Sequence, residues 1–162
     1  MSVESSLLHP YEFVRESDTD YTFTTDEGIV YRAYFIDYSD QFPALEHIYS
    51  FNIEPEEMRA IHPIDIRIAH TVVSILTKFF QSNENAMLMV CDSTDGKEYK
   101  RKLLFERWYQ HYKSEDIVKY DASLDTGDYM LYVSLFLRST NPNYRQIVYS
   151  FYNLVSNNMC PE

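Results

Sequence analysis

The sequence predicts an α+β fold, a single and mostly antiparallel sheet of about six strands with three helices, in the order β-β-β-α-β-α-β-β-α. Three observations predict it. Short segments of alternating polarity are bounded by turn residues, which is typical of strands. Longer segments repeat apolar residues at helical spacing. Three connections between strands are short enough to be hairpins, and hairpins join antiparallel neighbours. We therefore expect helices packed on a mostly antiparallel sheet.

The first half of the chain predicts three strands and one helix. Residues 21–25 and 29–38 flank Asp26-Glu27-Gly28, an acidic turn with a glycine that favours a hairpin. The segment "EHIYSFNIE", residues 46–54, alternates polar and apolar side chains and predicts a third strand. In "IDIRIAHTVVSILTKFF", residues 64–80, apolar residues recur at helical spacing, so we expect a helix with a broad buried face.

The second half predicts three strands and two helices. "AMLMVC", residues 86–91, is apolar without alternation, which predicts an internal strand covered on both faces. A helix with one aromatic side follows Asp95-Gly96. Strands at 116–124 and 129–138 are joined by "DTG", and a last helix opens at Asn141-Pro142, where the asparagine can cap.

The length and composition predict one domain. A chain of 162 residues with 45% apolar content is enough for one sizeable core. We expect residues 1–162 to form a single domain, with flexible ends at 1–10 and 157–162.

The first residues lack the basic and apolar regions of a signal peptide, and no apolar run approaches ~18 residues. Two cysteines are too few for a disulfide framework, and Cys91 follows an apolar run that predicts its burial. We expect a cytoplasmic protein with no membrane association.

The charge argues against nucleic acid as a partner. The formal net charge is -11, with 25 acidic and 14 basic residues, whereas phosphate binding requires an excess of Lys and Arg. Residues 97–107 are the local exception, and we expect their five bases to form a solvated helix face. A protein partner or a homo-oligomer is the prediction that remains.

One loop carries the best candidate for chemistry. Asp92, Ser93, Asp95 and Gly96 follow the predicted internal strand, so they can be a turn and a helix cap. The alternative is a divalent-metal-dependent hydrolase in which Asp92 and Asp95 hold Mg²⁺ or Ca²⁺ and Lys97 or Arg101 contacts an anionic substrate. No other cofactor is predicted, because the five histidines show no zinc-ligand spacing and no catalytic residues stand out.

Tyrosine is the most conspicuous residue type, with fifteen in the chain. Many lie in predicted strands, where alternate side chains face away from the core. Tyr31, Tyr34, Tyr49 and Tyr132 are candidate interface residues, because tyrosine adds contact area at low entropic cost. Ordinary sheet packing with hydroxyls at the rim is the alternative.

Several of these segments together resemble a family of small bacterial proteins known only as a domain of unknown function. The resemblance covers nearly the whole chain and is carried by Tyr-x-Phe-x-Thr at 21–25, Cys91-Asp92-Ser93, Asp95-Gly96, Arg101, Leu104, Phe105, Arg107 and Trp108. It implies a bacterial, intracellular single domain and no particular activity. The sequence therefore predicts a non-enzymatic interaction or regulatory module. An antitoxin-like protein and an acidic mimic of nucleic acid are two versions of this hypothesis.

Overall fold

The computed structural model describes residues 9–42, 45–57, 66–92, 109–110, 116–125 and 127–159. Within these ranges it has an α+β fold with seven strands and two helices. The strands are β1 (Phe13–Arg15), β2 (Asp20–Thr24), β3 (Val30–Asp37), β4 (Ile48–Pro55), β5 (Ala86–Asp92), β6 (Ile117–Asp125) and β7 (Met130–Arg138). The helices are α1 (Ile66–Phe79) and α2 (Tyr144–Met159).

The strands form one mixed sheet in the order β1-β2-β3-β4-β5-β7-β6. The β2–β3 hairpin is confirmed, and Gly28 turns it with a φ of 82°, a conformation that glycine adopts without steric cost. The internal position of β5, between β4 and β7, is also confirmed. Helix α1 lies within the predicted 64–80, and Lys78 in its last turn interacts favourably with the helix dipole.

Two features of the sheet in the described residues differ from the prediction. The sheet has seven strands because β1, only three residues long, is too short to show a period in the sequence. It is mixed because β4 and β5 pair in parallel, with α1 between them in the chain. The helix predicted after Gly96 falls mostly on residues outside the described ranges, although residues 109–110 are helical.

The chain divides into two compact units, Met1–Ile36 with Asn52–Gln81 and Asp37–Phe51 with Ser82–Glu162. The expectation of a single domain stays a prediction. Among the described residues, no helix is long and apolar enough to cross a membrane.

The first unit has an aromatic core. The rings of Phe23 and Tyr31 stack with centroids 5.5 Å apart, and those of Phe35 and Phe79 stack at 4.2 Å. Helix α1 buries five residues, Ile68, Ala69, Thr71, Val72 and Ile75. The Thr71 hydroxyl accepts a 2.8 Å hydrogen bond from the backbone amide of Tyr11, which ties the first described residues to the helix.

The second unit has a mainly aliphatic core between its strands and α2, which also contains two phenylalanines. Its fully buried members include Ile48 of β4, Leu88 of β5, Leu135 of β7 and Phe151 of α2. The last helix begins at Tyr144 rather than at the predicted Asn141-Pro142, and Asn141 forms a turn ahead of it, in which its Oδ1 accepts a 2.8 Å bond from the Asn143 amide. This packing includes Phe42 and Ile48 and so fixes the start of β4 and part of the connection before it, which carry the site described next.

Candidate functional site

The connection between β3 and β4 forms an open cavity of about 550 Å³ in the second unit, which we call the β3–β4 pocket. Its lining mixes acidic, aromatic and aliphatic side chains: Asp37, Ser39, Asp40, Phe42, Leu45, Glu46, His47 and Tyr49. All of them belong to the end of β3, the start of β4 or the connection itself.

Ser39 holds the two ends of this connection together. Its backbone amide donates a 2.8 Å hydrogen bond to Oδ1 of Asp37, which turns the chain as β3 ends. Its hydroxyl accepts a 3.2 Å bond from the Ile48 amide, at the first residue of β4. The Tyr38 amide also donates to the Ile48 carbonyl at 2.7 Å. These bonds bring side chains about ten residues apart in the sequence to one cavity.

His47 has a backbone conformation that few side chains adopt. Its φ is 64°, in the left-handed region, where histidine is one of the residues found more often than most. Its carbonyl accepts a 2.9 Å bond from the Ala86 amide, which anchors it to β5. Its Nε2 lies 3.2 Å from Glu84 Oε2 and 3.9 Å from Glu46 Oε2. The left-handed turn therefore places Glu46 and His47 together at the pocket.

The pocket is acidic. Three of its lining side chains are carboxylates, those of Asp37, Asp40 and Glu46, and none of the described lining residues is Lys or Arg. The amide and then the hydroxyl of Ser39, with a smaller contribution from His47, lower the pKa of Asp37 below its usual 3.8. Asp37 is therefore ionised at neutral pH.

The pocket also has apolar surface. Leu45 and Tyr49, which are both half-buried, supply it, whereas Phe42 borders the cavity but is fully buried. A cavity that combines carboxylates with such surface suits a cation carried on an apolar stem. Within the part of the chain that the structure describes, no group of three or more His, Cys, Asp or Glu side chains is arranged to hold a metal ion.

The candidate loop after β5 is only partly within the described residues. Asp92 is the last residue of β5 and pairs with Leu131 of β7. Ser93, Asp95 and Gly96, and the candidate anion contacts Lys97 and Arg101, lie outside the described ranges. The metal and helix-cap alternatives for this loop both stay predictions. Cys91, next to it, is buried as expected.

The four candidate interface tyrosines lie in different surroundings. Tyr31 is 7% exposed and stacks on Phe23, so it is a core residue of the first unit. The ring of Tyr34 lies 4.1 Å under the Arg32 guanidinium, and its hydroxyl donates to Glu54 at 3.4 Å. Tyr132 is half-buried on β7. Tyr49 lines the β3–β4 pocket and is the one that the structure places beside other candidate functional groups.

Sequence reasoning did not identify His47 or the acids around it as a site. A signal exists in "DYSDQFPALEH", residues 37–47, where acids occur at both ends of one connection between strands. Because neighbouring strands bring the ends of a connection together, those acids share one surface. Metal-ligand spacing gives no signal here, because that pattern relates residues close in sequence on one element.

The comparisons with known proteins give a family and no activity. No curated protein and no solved structure matches the sequence. The model of one family, described as a family of unknown function (DUF6169), matches residues 64–153, more than half of the 162 residues. The match runs from just before α1 into α2 and begins after the residues that line the pocket. It confirms the resemblance to a family of unknown function. The chain therefore belongs to the family of unknown function DUF6169.

Proposed function

We propose that this protein is a non-enzymatic interaction module of a bacterial cell, and that its β3–β4 pocket receives a basic side chain of a protein partner. The observation that carries the proposal is the lining, in which three carboxylates stand beside apolar surface with no described Lys or Arg to neutralise them. Hydrogen bonds between charged groups are about twice as strong as neutral ones, so such a site discriminates strongly for a cation.

The size of the pocket favours a side chain over a bare ion. A cavity of about 550 Å³ falls in the range of roughly 300–1,000 Å³ that is usual for organic ligands. The aliphatic stem of Lys or Arg can lie against Leu45 while its charged end meets the carboxylates. Tyr49 adds a ring face, on which a guanidinium stacks well.

The charge of the whole chain supports a basic partner. At a formal -11, the protein attracts positively charged surfaces over long distances and repels nucleic acid. An acidic protein that covers a basic surface can act as an antitoxin or as a mimic of nucleic acid. Association of this kind weakens as salt is added, because salt screens the attraction.

The test uses a fluorescent peptide with one arginine and a second peptide with citrulline, its neutral isostere, in that place. We expect the arginine peptide to bind and the citrulline peptide to bind at least tenfold more weakly. In the double variant Asp40→Asn, Glu46→Gln, we expect the arginine peptide to lose at least tenfold in affinity. Asp37 is left intact because its carboxylate builds the turn at Ser39.

The matched control is Asp128→Asn, which removes one exposed carboxylate of the second unit outside the pocket. We expect it to change affinity by less than threefold. Equal binding of the two peptides, or unchanged affinity in the double variant, contradicts the proposal.

A further inference from the structure

Helix α2 exposes a face with a composition unlike that of the rest of the chain. Tyr149 is 71% exposed and Tyr152 is 44% exposed. With Arg145, Asn153 and Ser156, which are also exposed, they lie along one side of the helix at spacings of three and four residues. We call these five residues the α2 tyrosine face.

This face lies in a stretch without acidic residues. None of the 25 Asp and Glu residues of the chain falls between Asp128 and Glu162, and Arg145 is the only charged residue of α2. Tyrosine, serine and asparagine are also the residues that dominate antibody binding loops, because they give contact area and adaptable hydrogen bonds at low entropic cost. The face therefore has the chemistry of an interface.

The ring of Tyr152 is already held in place. It packs edge-on against Tyr120 of β6 at 6.0 Å and against Phe151 at 5.2 Å. Tyr120 is itself hydrogen-bonded through its hydroxyl to that of Tyr144. An exposed aromatic ring fixed by its neighbours loses little side-chain freedom when a partner covers it.

We propose that the α2 tyrosine face pairs with the same face of a second copy of the protein, about a twofold axis. The distribution of charge favours a second copy over a basic partner at this face. Two copies at -11 each repel one another over surfaces that carry acids, whereas this face brings no acid close to another. A basic partner is drawn instead to the acidic surfaces. A twofold axis perpendicular to the helix makes the two helices antiparallel, so that their dipoles also attract.

The contact is expected to be weak. Helix α2 has 16 residues, and at about 1.5 Å per residue it is roughly 24 Å long and 10–12 Å across. One such face is smaller than the ~800 Å² per partner of a standard interface. Association must therefore be measured up to millimolar concentration, in the range of transient complexes.

The test is sedimentation equilibrium of the full chain from about 10 µM to 1 mM, in low and high salt. We expect a reversible dimer whose association constant increases with salt, because salt screens the repulsion between like-charged copies. Tyr149→Asp is expected to lower the association constant at least tenfold, and so is Tyr149→Lys. An equimolar mixture of the two variants is expected to regain association, since opposite charges then meet near the axis.

The control is Tyr38→Asp, which adds the same charge at a tyrosine that is 37% exposed and outside α2. We expect it to change the association constant by less than threefold. A protein that stays monomeric at 1 mM in high salt overturns the proposal, and so does a Tyr149→Asp variant that associates like the wild type. Neither result bears on the arginine peptide, so this proposal and that of the β3–β4 pocket fail independently.

Discussion

Because the backbone of His47 is left-handed, glycine is expected to give a more stable protein than alanine at this position, the reverse of the usual order. We compare His47→Gly with His47→Ala, since both variants remove the ring and its contact with Glu84. At φ 64° an L-residue is destabilised by about 1–2 kcal/mol, whereas glycine is not. Glycine loses about 0.5–1 kcal/mol more in conformational entropy on folding. The glycine variant is therefore expected to be more stable than the alanine variant by about 0.75 kcal/mol, the difference between the midpoints of these two ranges.

The assay is urea unfolding at neutral pH, followed by circular dichroism. The control is the pair Ser50→Gly and Ser50→Ala in β4, where the backbone is a strand and glycine is expected to be less stable than alanine by about 0.5–1 kcal/mol. The expected result is an opposite sign at the two positions. An alanine variant at position 47 that is as stable as the glycine variant, or more so, refutes the reasoning.

Three further predictions concern the core, pH and metal ions. Phe151→Ala, at a fully buried position of α2, is expected to lower the unfolding free energy measured in urea by about 3–5 kcal/mol. Tyr149→Ala is expected to change it by no more than about 0.5 kcal/mol. Equal losses contradict the assignment of a buried and an exposed face to the helix. Because the folded-state pKa of Asp37 lies below its usual 3.8, its contribution is present above that pH and is lost as the pH falls through the folded value. In Asp37→Asn, the unfolding free energy is therefore expected to decrease less steeply as the pH falls. A dependence on pH as steep as that of the wild type contradicts this role of Asp37. For the proposed metal loop, Mg²⁺ or Ca²⁺ at ~100 times its dissociation constant adds about 2.7 kcal/mol to the unfolding free energy, an effect that Asp92→Asn abolishes. No melting shift with either ion leaves the loop as a turn and helix cap.

The parts of the fold that the sequence predicts well are those set by local patterns. The β2–β3 hairpin follows from alternation on both sides of Gly28, and the structure has that glycine at positive φ. The apolar run 86–91 forms an internal strand in which every residue except Val90 is buried, because residues covered on both faces need no polar alternation. In both cases the cause lies within ten residues of chain.

The parts that the sequence predicts poorly depend on distant pairing. The parallel pair of β4 and β5 begins with Ile48 opposite Ala86, two residues far apart in the chain. No local sequence pattern predicts whether two such strands pair in parallel or antiparallel. Likewise, Tyr31 and Tyr34 lie on the same strand but differ in burial, since they point to opposite faces of β3. Alternation predicts that they differ, while tertiary packing decides which of them is buried.

The distribution of acids connects the two proposed surfaces and allows them to be tested in the unaltered protein. Acids stand at both ends of the connection that lines the β3–β4 pocket, whereas none lies in the stretch that contains α2. Added salt therefore has opposite expected effects on the two, because it screens an attraction at the pocket and a repulsion between copies. One salt series that measures peptide affinity and self-association together separates the proposals. If the peptide affinity and the self-association constant change in the same direction with salt, then at least one of the two surfaces binds its partner for a reason other than long-range charge.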